Sequence, residues 1–341
     1  MINIGLIGIG NSAIKIHLPA LIKIKELKVN SIFDINFKNL KAIKEKYNIL
    51  NLHYNYKDFF SDPKIDAVLI TSPNSEHYKH IIQALKNGKH VICEKPFVLK
   101  TSQILKIKKL ALQKKLVCTC FLMQRFRAPT VFLKDKIDND FFGSIYHADL
   151  NILFKKSDTV NKDLFVNRSH LGSGLIYDIG SHFIDLAWFL MRSPKPKTLY
   201  VTGSNNLVKF YKKNHLPINS NFNINDFVVG LVKFENGSSL SFKFSYITNI
   251  KNNKKKIKFY TEKGYFEWPK LKINILKNNQ NISLKVSVVE KTKASIMHLK
   301  HFIKAIKGED SNIATLDEIL TLTLIIESLN KSEYKNKLIK L

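Results

Sequence analysis

The sequence predicts an α/β protein in two parts. A parallel sheet wound with helices is expected over residues 1–123, and an α+β domain with an open, mostly antiparallel sheet over 124–341, whose last helix can pack back on the first domain. Three observations carry this class. Short apolar runs alternate with amphipathic helical patterns up to about residue 122, as parallel strands joined by helical crossovers do. From Thr198 onward, strand-like runs follow one another closely, as in an antiparallel sheet. A chain of 341 residues has room for two ordinary domains, each with its own core.

The first 34 residues hold the clearest pattern. The apolar run Ile4-Gly5-Leu6-Ile7 leads into Gly8-Ile9-Gly10-Asn11-Ser12-Ala13, then a helical stretch, then Val29-Asn30-Ser31-Ile32-Phe33 ending on Asp34. Strand, glycine turn, helix, strand and acid in this order have the G-x-G-x-x-G/A form of a Rossmann dinucleotide site. Gly8 permits the tight turn, Gly10 lets the backbone approach a pyrophosphate, and Ala13 keeps the helix near the sheet. Ile9, Asn11 and Ser12 complete a helix start whose N–H groups face the anion. Asp34 lies 24 residues past Gly10, where a carboxylate meets the ribose hydroxyls. It would repel a 2′-phosphate, and Ile35 and Asn36 supply no arginine to receive one, so NAD is expected over NADP. Nearby Lys38 works against that preference.

The next elements continue the alternation. A lysine-rich helix is expected over Phe37–Tyr47 and a buried strand over Ile65–Ile70, ending in Thr71-Ser72-Pro73-Asn74. A helix with Glu76, His77 and His80 closes at Asn87-Gly88, a plausible C-cap. The strand His90–Cys93 ends in Glu94-Lys95-Pro96; helix Thr101–Lys115 and strand Leu116–Leu122 follow. Ligands on such sheets gather beyond the strand C-termini, where the glycine turn, Pro73, Asn74 and Lys95 fall. In the second part a helix is expected over Thr130–Ile137 and a strand over Ser144–Phe154. Gly172-Ser173-Gly174 opens a helix over Leu175–Leu190, which Pro194 and Pro196 end. Strands are expected at Thr198–Gly203, Phe227–Phe234, Ser238–Tyr246, Lys256–Thr261, Tyr265–Trp268 and Leu271–Ile275, with a hairpin at Asn236-Gly237 and a long loop over 204–225. Helices around Ala294–Lys307 and Leu316–Asn330 close the chain.

Composition narrows the partners. Net charge is +28, but of the 55 basic residues only four are arginine and the lysines are spread along the chain. Nucleic-acid readers cluster their charge and favour arginine, so specific nucleic-acid binding is not expected, and any contact with DNA should be weak and salt-sensitive. No signal-peptide pattern and no apolar run of bilayer length is present, so a cytoplasmic protein without a membrane role is expected. Cys93, Cys118 and Cys120 form neither a disulfide framework nor a zinc set, and read as buried strand thiols.

Several motifs stand together in one order: the glycine turn, Thr71-Ser72-Pro73-Asn74 with His77, Glu94-Lys95-Pro96, and Gly172-x-Gly174-x-x-x-Asp178-x-Gly180-x-His182-x-x-Asp185. In order and spacing these resemble the Gfo/Idh/MocA oxidoreductases, and the resemblance spans nearly the whole chain, including Thr261-Glu262-Lys263-Gly264. One departure is Ser173, where many members carry a glycine. The resemblance implies hydride transfer between a nicotinamide and a carbinol or carbonyl carbon of a sugar, cyclic polyol or related compound.

It also implies roles. Lys95 becomes a lysine near the nicotinamide and the reacting oxygen, able to hold or protonate that oxygen; by itself it is one lysine among many. Glu94 would orient Lys95 or the cofactor, and Ser72, Pro73, Asn74 and His77 would line the cofactor. Asp178 and His182, four apart on one helix, share a face. Read alone, the pair is either metal-like without an obvious third ligand or a helix acid beside a packed histidine, and no metal is expected. Under the resemblance His182 exchanges a proton with the substrate hydroxyl and Asp178 binds substrate or fixes the ring. Tyr177, Arg125 and Arg168 are candidate substrate contacts, of which only Arg125 has positional support from the resemblance; Asp185 reads as structural. His17, His53, His170 and His298 show no constellation. A cofactor-binding regulator without turnover and an NAD-dependent glycoside-cleaving enzyme are the rival readings. A homodimer or homotetramer built through the open sheet is expected, because that sheet must cover its second face.

Overall fold

The computed structural model describes residues 1–37 and 40–341, so Lys38 lies outside the described residues. The chain forms two compact units, one of Met1–Phe126 with Lys291–Thr323, the other of Arg127–Glu290 with Leu324–Leu341.

In the first unit the described residues form strands β1 (Ile2–Ile7), β2 (Leu27–Phe33), β3 (Asn51–His53), β4 (Ala67–Ile70), β5 (His90–Cys93) and β6 (Cys118–Cys120). They pair in parallel in the order β3-β2-β1-β4-β5-β6, so strand order reverses between β1 and β4, where α/β sheets open a ligand crevice. Ala67-Val68-Leu69-Ile70 is buried at every residue, as a strand covered on both faces must be. Cys93 and Cys120 are register partners on β5 and β6, and all three cysteines are buried. Burial holds the Cys93 and Cys118 thiols well above their ordinary range and so unreactive. β3 was not expected, because Asn51-Leu52-His53 is a half-buried edge strand without an apolar run. Helix Ala294–Ile306, expected after the strand-rich stretch, places Ile296, Leu299, Phe302 and Ile303 in one core with Ile4, Leu6 and Leu21 of the N-terminal stretch.

The second unit carries β7 (Ile145–Leu153), β8 (Pro196–Ser204), β9 (Phe227–Phe234), β10 (Ser239–Ser245), β11 (Lys254–Thr261), β12 (Gly264–Trp268), β13 (Lys272–Lys277), β14 (Gln280–Lys285) and β15 (Ile339–Lys340). Their order is β14-β13-β12-β11-β7-β10-β9-β8-β15, antiparallel except for the parallel pair β7–β10. Alternation sets the faces: Leu240, Phe242 and Phe244 of β10 are fully buried, while Lys243 is exposed. Gly230 makes room for this, since a Cβ there would lie 2.2 Å from the Phe242 ring.

Two departures have physical causes. Part of the expected 204–225 loop is a helix, Asn206–Lys213, whose start is capped from a distance when the Asp226 carboxylate accepts the Val208 N–H at 2.7 Å. β14 is polar and exposed, and exists because Asn278 and Asn279 adopt the left-handed turn that folds it onto β13. Among the described residues no helix is long and apolar enough to cross a membrane.

Candidate active site

In the first unit three loops leave the C-terminal ends of β1, β4 and β5, and hydrogen bonds tie them together. Gly8 follows β1 at φ 90°, and a Cβ there would sit 2.4 Å from the Ser72 backbone nitrogen. Only glycine fits. The Thr71 N–H donates to Ile7 O at 2.8 Å and its hydroxyl to Gly8 O. Gly10, by contrast, faces open space, since an added Cβ would meet nothing within 4 Å. Gly10, Asn11 and Ser12 are exposed while Ile9 and Ala13 are buried, so the turn presents backbone and packs its apolar side chains inward. The following helix begins with a wide π-type turn, Ala13–His17, and continues through Leu18–Leu21.

Asp34 stands just past β2. Its Oδ2 accepts the Ile9 N–H at 2.5 Å and its Oδ1 the Asn36 N–H at 2.7 Å. Each oxygen keeps a further lone pair for ribose hydroxyls. An open glycine backbone and a fixed carboxylate beside it are what a dinucleotide requires, and these residues fit one.

The β4 loop is pinned to the β5 loop by His77. Its Nδ1 lies 2.8 Å from Pro96 O and its Nε2 2.9 Å from Ser72 O. The ring is fully buried, which lowers its pKa although both carbonyls favour a proton. The structure thus gives His77, expected to line the cofactor, a hold on two loops from beneath. Ser72 also hydrogen-bonds His80 Nδ1 at 2.9 Å, and Pro73 and Asn74 lie at the loop's surface and edge. On the β5 loop, Glu94 Oε2 accepts the backbone N–H of Lys95 at 3.0 Å, while Glu94 Oε1 lies 2.7 Å from His17 Nε2. Arg125, expected to touch substrate, is 4% exposed and ion-paired to Glu318 at 2.7 Å. A buried guanidinium needs such a partner.

In the second unit Gly172 and Gly174 both take positive φ and open a helix whose first turn, Ile176–Gly180, is again π-type before Ser181–Leu190 continues it. Asp178 lies in the wide turn and His182 in the regular helix, both half-buried, and Asp185 is fully buried. Tyr246, one residue past β10, donates its hydroxyl to Asp178 Oδ2 at 3.0 Å. Burial first, and the Asp178 charge second, hold the Tyr246 hydroxyl well above its ordinary pKa, so it stays a donor. Tyr177 is pushed up to about 12, mainly by burial and then by Glu327. Arg168 donates its backbone N–H to Asn223 at 2.7 Å. Among the described residues no group of three or more His, Cys, Asp and Glu is placed to hold a metal ion.

Two residues escaped the sequence reading, His17 and Tyr246. The run Leu240-x-Phe242-x-Phe244-x-Tyr246 carries a signal for the second, since its inward face must meet a helix and Tyr246 alone there bears a polar atom. His17 has no such local signal, because its partner is 77 residues away.

Comparisons with known proteins agree with this architecture. Residues 2–121 match the family described as oxidoreductase family, NAD-binding Rossmann fold, and residues 130–267 match the GFO/IDH/MocA C-terminal domain. The chain is 23% identical over 340 residues to D-glucoside 3-dehydrogenase of Escherichia coli (strain K12), covering 97% of this chain and 95% of that protein. It is 31% identical over 201 residues to glucose-6-phosphate 3-dehydrogenase of Bacillus subtilis (strain 168), covering 57% of this chain and 55% of that one. An oxidoreductase from Agrobacterium radiobacter, solved in complex with NAD+, L-tartaric acid and magnesium, superposes with a TM-score of 0.84 at 16% identity, over 99% of this chain and 98% of that one. With a glycine turn and acid built for a dinucleotide in one unit and matches that run through both, the chain belongs to the GFO/IDH/MocA family of oxidoreductases.

Proposed function

We propose that the protein is a dehydrogenase that oxidises a secondary hydroxyl of a sugar, cyclic polyol or related compound, reversibly, with NAD in preference to NADP. The observation that carries this reading is the joining of the Glu94-Lys95-Pro96 loop to the glycine turn's helix through His17 and Glu94. It keeps a lysine on the same rim as the dinucleotide motif. A relative matched along 97% of the chain, named a D-glucoside 3-dehydrogenase, supports a sugar hydroxyl as the target.

The nicotinamide, when bound, supplies the hydride acceptor or donor at its C4. The remaining work belongs to side chains. The Lys95 ammonium stabilises the negative charge that develops on the reacting oxygen. His182 exchanges the hydroxyl proton as the general acid–base. Asp178, held by Tyr246, orients the substrate or that imidazole, and Tyr177 contributes a hydroxyl that stays protonated. Asp34 binds the ribose diol and disfavours a 2′-phosphate.

The test is a spectrophotometric screen of glucosides, hexose phosphates, inositols and their oxidised forms with both cofactors. Turnover with NAD exceeding that with NADP is expected; equal or tighter NADPH binding would remove the Asp34 argument. His182→Ala should lower kcat by roughly 10²–10⁴ with NADH affinity preserved. Lys95→Ala should lower kcat and weaken cofactor or substrate binding as well. Near-normal turnover in folded His182→Ala would leave Lys95 as the sole acid. Binding of cofactor without turnover of any compound would favour a regulator instead.

A further inference from the structure

His17 is fully buried, in the π-type turn that follows the glycine turn, with its ring edge on Phe121 at 4.6 Å between centroids. Its Nε2 lies 2.7 Å from Glu94 Oε1. A carboxylate only accepts, so Nε2 carries the proton and donates it, and the tautomer follows from the partner. Nδ1 is buried without a hydrogen-bond partner, so Nε2 is the ring's one polar contact with the protein. The other carboxylate oxygen, Oε2, accepts the Lys95 backbone N–H at 3.0 Å. Each oxygen of Glu94 thus has its own donor, and the pair of bonds fixes the rotation of the carboxylate. One imidazole in the core thus reaches the Lys95 backbone through a single carboxylate.

We infer that His17 is a positioning residue for Lys95, acting through Glu94, an inference that rests on the role of Lys95 proposed above. Without the imidazole the carboxylate loses its bond at Oε1, and its hold on the Lys95 N–H through Oε2 weakens. Placement errors of about 1 Å cost on the order of 10²-fold in rate when a reacting group depends on them, so a partial loosening should be visible in kcat.

Two measurements test this. In the cofactor-free protein, hydrogen exchange at the Lys95 amide should accelerate tenfold or more in His17→Leu and stay near wild type in His17→Gln, whose amide still donates to Glu94. In turnover, His17→Leu should lower kcat by about tenfold with NADH affinity within twofold, and His17→Gln should recover most of it. Added to Lys95→Ala, His17→Leu should cost nothing further. Unchanged exchange in folded His17→Leu, or a full additional loss in the double variant, overturns the inference. If His17→Leu does not fold, Glu94→Gln carries the same comparisons, because the amide puts an NH2 where one of the two donors now meets an oxygen. Absence of any turnover in the wild type would sink the dehydrogenase reading alone and leave the exchange result to decide the role of His17.

Discussion

His298 of helix Ala294–Ile306 stacks on Phe121 at 4.6 Å and on Phe126 at 4.4 Å, and neither ring nitrogen has a hydrogen-bond partner. Burial, and then the Arg125 charge, push its pKa down to about 3. The folded state thus holds His298 neutral where the unfolded chain would protonate it near 6.5. Between those values the unfolded state binds more protons, so stability is full above pH 6.5 and is lost as pH falls toward 3. His80, pushed down to about 4 by burial first and then by His77 and Lys79, acts in the same sense. The midpoint temperature of wild type should therefore fall between pH 7 and 4.5, and His298→Phe should show a shallower fall. Equal slopes in the two proteins would remove His298 from the acid response. In the sequence His17 and His298 look isolated, because what defines them, Glu94 for one and two phenyl rings for the other, comes from distant parts of the chain.

The glycine turn makes a sharper comparison, since its two glycines serve different ends. An alanine at position 8 would need a positive φ and would press on the Ser72 backbone. The conformation alone costs on the order of 1–3 kcal/mol. Alanine at position 10 meets nothing, yet fills the space over the turn. Gly8→Ala should lower the midpoint temperature by several degrees, whereas Gly10→Ala should keep it and lose NADH affinity at least tenfold, read by calorimetry on both variants. Loss of stability in Gly10→Ala with affinity intact would reverse the assignment. This turn was legible in the sequence because its function is written into neighbouring residues. The Leu175–Leu190 helix was legible too, but its π-type opening was not, for a single wide turn leaves no period of its own in the sequence. The helix Asn206–Lys213 was hidden because its cap lies at Asp226.

At the scale of the whole molecule, the outward face of the second sheet sets Leu231, 47% exposed, against Ser241 of β10, and Val229 against Lys243. We expect this face to be covered by a second copy of the chain, so Leu231→Arg should lower the mass seen by light scattering; a monomeric wild type at micromolar concentration would count against it. Alternating residues made this sheet legible, whereas the parallel β7–β10 pair was not, because register between distant strands leaves no local trace. The path of the chain has its own consequence. The first unit begins at Met1 but takes Lys291–Thr323 to complete it, and that return segment carries Leu299, Phe302 and Ile303 into its core. During synthesis the nucleotide half must wait, its sheet present and one wall missing, while the strand-rich stretch is made. At 5–20 residues per second that interval is roughly 10–40 s, long enough for a half-built Rossmann core to depend on chaperones, and no contiguous fragment ending before residue 323 should bind cofactor as the full chain does.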